Sequence, residues 1–291
     1  MTKILLDTDI GSDVDDAVCL AYLLAHPDCE LLGITTVTGE VEKRASLASV
    51  MCSAAGREIP IYPGAERPLQ GEQRQPIAQQ AATLSRWLHQ TDFPGGKAVD
   101  FLADAIRAHP AEVTLLTIGP LTNIGILFSE HPDVPQLLAG LVMMGGNFGE
   151  AGSEGNQPEW NILCDLLASD IVYKSPVRLH RSIGINVTLQ VRMSADEVRK
   201  TYTAPLLRPV LDMAEIWFAG FHPFITYNDP LAAASIFAPD LCSYQQGTVR
   251  LDLTEMPGKT VWHPGGPEAP HQVAMTVDVD RYFRHFFDVV G

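Results

Sequence analysis

Short apolar runs and amphipathic stretches take turns from the first residues to about residue 183. Thr2 to Leu6 is an apolar run, and Val14 to Ala25 carries apolar residues at helical spacing until Pro27 stops it. Glu30 to Val37 reads as a buried strand, Glu42 to Ala55 as a helix closed by Gly56, and Ile59 to Tyr62 as a strand before Pro63-Gly64. The rhythm resumes with helices over Val99 to Ala108, Leu121 to Phe128 and Leu163 to Tyr173, and strands over Val113 to Ile118, Leu141 to Met144 and Val177 to Ile183. A strand that is followed by a helix must return to pair in parallel, so the pattern predicts an α/β fold with a mainly parallel sheet. Farther on, helices are expected over Ala195 to Tyr202, Pro205 to Phe221 and Pro230 to Phe237, then a strand pair over Gly247 to Leu253 and Val273 to Val279. The whole is read as one domain, residues 1–291. Gln70 to Lys97 and Phe148 to Pro158 break the rhythm and read as mobile loops of the kind that cover sites, although the Gln run also suits a solvated helix face.

Composition narrows the function. The 291 residues are 46% hydrophobic and 19% charged, enough apolar material for a substantial core. A formal net charge of −15 repels phosphate backbones and anionic lipid, so neither nucleic acid nor membrane is an expected partner. The amino terminus turns acidic at Asp7 and Asp9 and lacks a signal-peptide core, which predicts a cytoplasmic protein. Cys19, Cys29, Cys52, Cys164 and Cys242 are odd in number and scattered, so they are expected as reduced thiols in or near the core.

The chemistry concentrates after the first strand. Asp7, Asp9, Asp13, Asp15 and Asp16 crowd the place where a parallel strand ends and a helix begins, which is where open α/β sheets bind ligands. So many anions together call for a compensating cation, and carboxylate oxygens suit a hard divalent ion, Ca²⁺ or Mg²⁺. The plainer alternative is a solvated acidic turn with Asp13 as a helix cap. An EF-hand is excluded because Gly11 falls at the fifth loop position and Val18 stands where the bidentate Glu belongs. A haloacid-dehalogenase-like phosphatase shares the Asp-x-Asp after its first strand and stays open as an alternative, but its later Lys and acidic pair have no convincing counterpart.

The string Asp7-Thr8-Asp9-Ile10-Gly11-Ser12-Asp13-Val14-Asp15-Asp16-Ala17 resembles the amino-terminal signature of the inosine-uridine nucleoside hydrolase family, with two extra residues before the double Asp. The resemblance continues in order through Ile34-Thr35-Thr36-Val37 with Gly39, Ile118-Gly119-Pro120-Leu121-Thr122-Asn123, Met143-Met144-Gly145-Gly146, Glu159-Trp160-Asn161 with Asp165, Asp229-Pro230-Leu231 and Val277-Asp278-Val279-Asp280-Arg281. It implies an open, mainly parallel sheet covered by helices on both faces, with the site at the carboxyl ends of the strands, in a homodimer or homotetramer. It further implies a Ca²⁺-dependent hydrolase of ribonucleosides. Asp9, Asp16, Asp229 and the Ile118 carbonyl would hold the metal. Asp15, Asn161 and Asp229 would bind the ribose diol, Glu159 the 5′-hydroxyl, and Asp9 would act as general base.

The sequence departs from this family at the leaving group. Many members place His before the last metal Asp; here it is Asn228, which cannot act as an acid. Tyr227, His222, Trp217 and His89 are the candidates to neighbour the base. Glu40 stands where the family often has Asn, bringing a further anion toward the water and metal. Ser153 occupies the spacing at which the family often has an Asn for the 5′-hydroxyl, and Asn156, closer to Glu159, is the candidate ligand in its place. His263 and His271 read as solvated loop histidines, and Arg281, Arg284 and His285 as a polar helix face. The leading expectation is a nucleoside hydrolase, and the rival is a catalytically weak ribonucleoside-binding member.

Overall fold

A computed structural model describes residues 1–149 and 157–291. The chain begins with β1 (Thr2–Thr8), α1 (Asp15–Ala25), β2 (Cys29–Thr36), α2 (Val41–Ala54) and β3 (Ile61–Pro63). After a long strap containing a 3₁₀ helix at Gln79–Arg86 come α3 (Ala98–Ala108), β4 (Val113–Thr117), α4 (Thr122–Glu130), α5 (Val134–Leu137) and β5 (Gly140–Met144). Next are α6 (Trp160–Cys164), α7 (Leu166–Lys174), β6 (His180–Ile183), α8 (Ile185–Thr188), β7 (Arg192–Ser194) and α9 (Ala195–Thr201). The chain ends with α10 (Leu207–Ala219), β8 (Phe224–Thr226), α11 (Asn228–Phe237), β9 (Cys242–Leu251), β10 (Thr260–Pro264), β11 (His271–Val277) and α12 (Val279–Val290).

The main sheet has nine strands in the order β10-β9-β11-β6-β5-β4-β1-β2-β3. Pairing is parallel from β3 to β11, while β9 runs antiparallel to both β11 and β10. Side chains alternate across the strands: Ile4 and Leu6 of β1 join a core with α1, α2, α10, α11 and α12, whereas Leu5 joins a second core with α3, α4 and α7. Both faces of the sheet are therefore covered, as the resemblance implied. The strand order turns at β1, because the chain goes first to β2 and β3 on one side and then to β4, β5 and β6 on the other. A sheet of this kind opens a crevice between the loops at that turning point.

Several expectations are corrected. The expected helix over Leu163 to Tyr173 is two helices, because Asp165 leaves helical geometry and its carboxylate caps Ala168 N at 3.1 Å. β10 and the small β7–β8 pair have no counterpart in the sequence reading. The strap over 70–97 is not a bare loop: Gln80 and Thr83 of its 3₁₀ helix are buried. His271 lies buried in β11, its Nδ1 accepting from Val249 N at 2.9 Å and its Nε2 within 2.9 Å of Tyr173 O. His263 is exposed, but on strand β10. On α12, His285 is half buried with Nε2 at 2.7 Å from Tyr22 Oη, so that helix face is not wholly solvated. All five cysteines are free and buried. No helix among the described residues is long and apolar enough to cross a membrane.

Candidate active site

The crevice at the turning point is a cavity of about 880 Å³. β1 delivers Asp9 to it just past its last residue, and the first turn of α1 delivers Asp15 and Asp16. β4 delivers Ile118, β5 delivers Met144, the start of α6 delivers Glu159 and Asn161, and the start of α11 delivers Asn228 and Asp229. Residues from remote parts of the chain converge because parallel strands all release their loops at the same edge.

Asp15, Asp16 and Asp229 are buried and offer carboxylate oxygens that lie within 4.8 Å of one another. Asp16 Oδ1 accepts from Thr8 Oγ1 at 2.5 Å, and Asp15 Oδ2 accepts from Asn228 Nδ2 at 2.8 Å. Among the described residues no donor reaches the Asp229 carboxylate. Burial pushes the Asp15 carboxyl from its ordinary 3.8 up to about 6. Burial, and then the neighbouring carboxylates, push Asp16 and Asp229 well above the usual range. Among the described residues no cationic side chain forms an ion pair with Asp15, Asp16 or Asp229, and an all-oxygen set of crowded acids has the donor chemistry of a hard divalent cation, so the residues present fit such an ion.

Asp9 lines the same cavity but lies outside that trio, which differs from the expected ligand set. Gln75 donates through Nε2 to Asp9 Oδ2, and that amide takes up one oxygen of the carboxylate. Burial raises the Asp9 pKa, and Arg44 and Gln75 oppose the rise. Asp13 is not the cap of α1; its Oδ1 accepts from Val14 N at 2.6 Å, one residue ahead of the helix.

Glu159, which also lines the cavity, caps α6. Its Oε1 accepts from Asn161 N at 2.8 Å, and its Oε2 from Ile162 N at 3.1 Å and Gly146 N at 3.2 Å. Burial nevertheless raises its carboxyl from 4.5 to about 7. Asn161 Nδ2 donates to Ile118 O at 3.0 Å, which fixes the side chain across the strand end. Asn156 and Ser153 lie outside the described residues.

At the mouth, the Trp217 indole and His222 imidazole stack with centroids 3.6 Å apart, and both line the cavity with Asn228. Tyr227 does not: it is fully buried, and its Oη lies 2.7 Å from Tyr202 Oη. His89 does not line the cavity either; its Nδ1 is 2.8 Å from Trp87 O on the strap. Glu40 also turns away, pairing with Lys43 at 2.5 Å and accepting from Ala78 N at 2.8 Å.

Two residues that the sequence reading passed over hold this edge together. Arg44 of α2 is fully buried, with Nε donating to Gly39 O at 2.8 Å and NH1 to Asp9 O, Ile10 O and Ser12 Oγ. A signal for it was present, since Val41, Arg44, Ala45 and Ala48 share one helical stripe. Gln75 of the strap had no such signal in its Gln-rich surroundings.

The profile of the inosine-uridine preferring nucleoside hydrolase family matches residues 4–284. The non-specific ribonucleoside hydrolase RihC of Escherichia coli strain SMS-3-5 is 32% identical over 99% of this chain and 98% of that protein. Uridine nucleosidase 1 of Arabidopsis thaliana is 27% identical over 96% of this chain and 90% of that protein. Among solved structures, the purine-preferring ribonucleoside hydrolase from Gardnerella vaginalis superposes with a TM-score of 0.85 at 25% identity, covering 99% of this chain and 98% of that one.

Proposed function

Because the chain belongs to the inosine-uridine preferring nucleoside hydrolase family and hydrolyses the N-glycosidic bond of ribonucleosides, we propose a Ca²⁺-dependent version of that reaction with the carboxylates of Asp9, Asp15, Asp16 and Asp229 at its centre. Convergence of Asp15, Asp16 and Asp229 on a few ångströms of buried space is the observation that supports the reading. Asp16 and Asp229 would hold the ion, with the Ile118 carbonyl and the oxygen of Asp9 that Gln75 does not take. When bound, the ion supplies the positive charge that lets these carboxylates stay ionised and polarises the oxygens it meets.

Asp15, Asn161 and Asp229 bind the 2′- and 3′-hydroxyls, which selects ribosides over deoxyribosides, and Glu159 takes the 5′-hydroxyl. As the bond from the anomeric carbon to the base lengthens, positive charge grows on that carbon and on the ring oxygen. The surrounding carboxylates stabilise it. Asp9 accepts a proton from a water whose oxygen bonds to the anomeric carbon, and the electron pair of the broken bond leaves with the base. The base takes its proton at the cavity mouth, where His222 is the ionisable donor and Trp217 the platform behind it. Asn228 stands where the resemblance places a leaving-group His, and its amide bridges Asp15 Oδ2 and Thr188 Oγ1. The five buried free thiols support a cytoplasmic setting.

The test compares p-nitrophenyl riboside, inosine and uridine with Ca²⁺ and with a chelator. Nitrophenolate leaves without an acid, so its release reads the sugar chemistry alone. Chelator-sensitive release from the riboside, with none from the 2′-deoxyriboside, is expected. Release that ignores the chelator would sink the calcium reading.

A further inference from the structure

The carboxylate that the reaction needs as a proton acceptor is held by an amide from a distant loop. Gln75 Nε2 donates to Asp9 Oδ2 and also to Ser12 Oγ at 2.9 Å, while its Oε1 accepts from Trp160 Nε1 at 2.6 Å. Gln75 is itself buried, and it lines the cavity. Glu40, at the position where the resemblance places an amide, points elsewhere, and among the described residues Gln75 is the side-chain amide that reaches Asp9.

The strap that carries Gln75 is anchored to the site from several sides. Arg44 NH2 donates to Gln75 O and to Ile77 O, each at 3.4 Å, and Ser12 Oγ donates to Ile77 O at 3.3 Å. Gln75 N donates to Gln73 Oε1 at 2.8 Å. Pro76 packs so closely on Gly39 that a Cβ there would lie 2.5 Å from the Pro76 backbone. These contacts fix the backbone at residue 75, and the Trp160 indole then fixes the far end of its side chain. A carboxylate pinned at one oxygen can present the other in only one direction, and sub-ångström placement of a reacting group carries a large share of catalysis.

We propose that Gln75 is a positioning residue for the hydrolysis: its amide orients the Asp9 carboxylate toward the attacking water, and Trp160 at the rim orients the amide. This rests on Asp9 being the proton acceptor in the reading above. Glutamine suits the position because one planar group supplies both the N–H donors for Asp9 and Ser12 and the acceptor for the indole. Gln75 itself meets neither ribose nor ion, and Asp16, Asp229 and the Ile118 carbonyl still hold the ion when the Asp9 carboxylate turns, so the larger effect falls on turnover and the smaller on Ca²⁺ affinity.

The experiment uses p-nitrophenyl riboside with Gln75→Met, Trp160→Phe and the double variant, alongside calorimetric titration of Ca²⁺ and terbium luminescence excited through tryptophan. Gln75→Met is expected to lower kcat about 100-fold with KM and Ca²⁺ affinity within about threefold of wild type. Trp160→Phe keeps an aromatic ring at the position and removes the indole N–H, so it lowers kcat about fivefold, and the double variant is no slower than Gln75→Met alone. A kcat for Gln75→Met within threefold of wild type overturns the proposal. Parallel losses in kcat, KM, Ca²⁺ affinity and melting temperature overturn it too, since they mark a merely structural strap. Fully additive losses in the double variant overturn the role of Trp160. A wild type that releases no nitrophenolate while binding Ca²⁺ overturns instead the hydrolase reading on which the proposal rests.

Discussion

Asp165 and Asp229 are both buried aspartates at helix starts, yet their surroundings are opposite. Asp165 accepts from Ala168 N at 3.1 Å, Leu69 N at 2.7 Å and Thr122 Oγ1 at 2.8 Å, so its charge is satisfied inside the protein. Asp229 has no such donors among the described residues, and its nearest acidic neighbours are Asp15 and Asp16. A buried carboxylate with filled lone pairs holds a fold together. One with empty lone pairs and like-charged neighbours costs stability and is held ready for something from outside.

The comparison breaks if the two residues fail in the same way when removed. Asp229→Asn should lower turnover on p-nitrophenyl riboside on the order of 10³-fold. In chelator its melting temperature should equal or exceed that of wild type, because one of several mutually repelling acids has gone. Asp165→Ala should do the reverse. Stripping the acceptor from three donors, two of them on the buried residues Ala168 and Thr122, costs about 3 kcal/mol of stability, while kcat of the folded fraction stays within a few-fold. Calorimetry with active-site-normalised rates reads both.

This division also governed what could be read before any coordinates. The strand and helix alternation and the run Asp7 to Asp16 are local patterns, and they indicated the parallel sheet and the edge that carries the site. Asp165 broke an apparently continuous helix because its partners, Leu69 and Thr122, are remote in sequence, and periodicity carries no information about them. Gln75 is the same case on the functional side: nothing near it in the chain marks it, since Asp9, Ser12 and Trp160 are all distant partners. Tyr227 was misplaced for a different reason. Being next to Asn228 in sequence put it near the site, but the first turn of α11 sends neighbouring side chains in different directions, and its ring went into the aromatic core beside Tyr282 and Phe286.

Glu159 lies between the two extremes and sharpens the contrast. Three backbone N–H groups serve it, yet burial dominates and its carboxyl rises from 4.5 to about 7. A folded state that holds a proton more tightly than the unfolded chain is stabilised at low pH. Its contribution is fully present below about 4.5 and is lost as pH climbs through about 7. The difference amounts to about 3 kcal/mol. Denaturant unfolding in chelator should therefore lose stability between pH 5 and pH 8, and Glu159→Gln should flatten that loss by a comparable amount. An unchanged slope in the variant would mean that the backbone donors fully offset burial, which would place Glu159 with Asp165.

Asn228 gives the smallest expected effect and the finest distinction. Its Nδ2 donates to Asp15 Oδ2 at 2.8 Å and its Oδ1 accepts from Thr188 Oγ1 at 2.7 Å, so the amide is spent on holding an acid in place and has no proton to deliver. Asn228→His restores an ionisable donor at the cavity wall and should raise the rate on inosine about tenfold, a fraction of what general acid catalysis can supply. The p-nitrophenyl riboside rate should stay level or fall, because that leaving group needs no proton and Asp15 loses its amide partner. Equal inosine rates for the variant and wild type would mean that proton delivery is not limiting. His222, stacked on Trp217 at the mouth, would then deliver the proton fast enough alone, and a second donor at position 228 would add nothing.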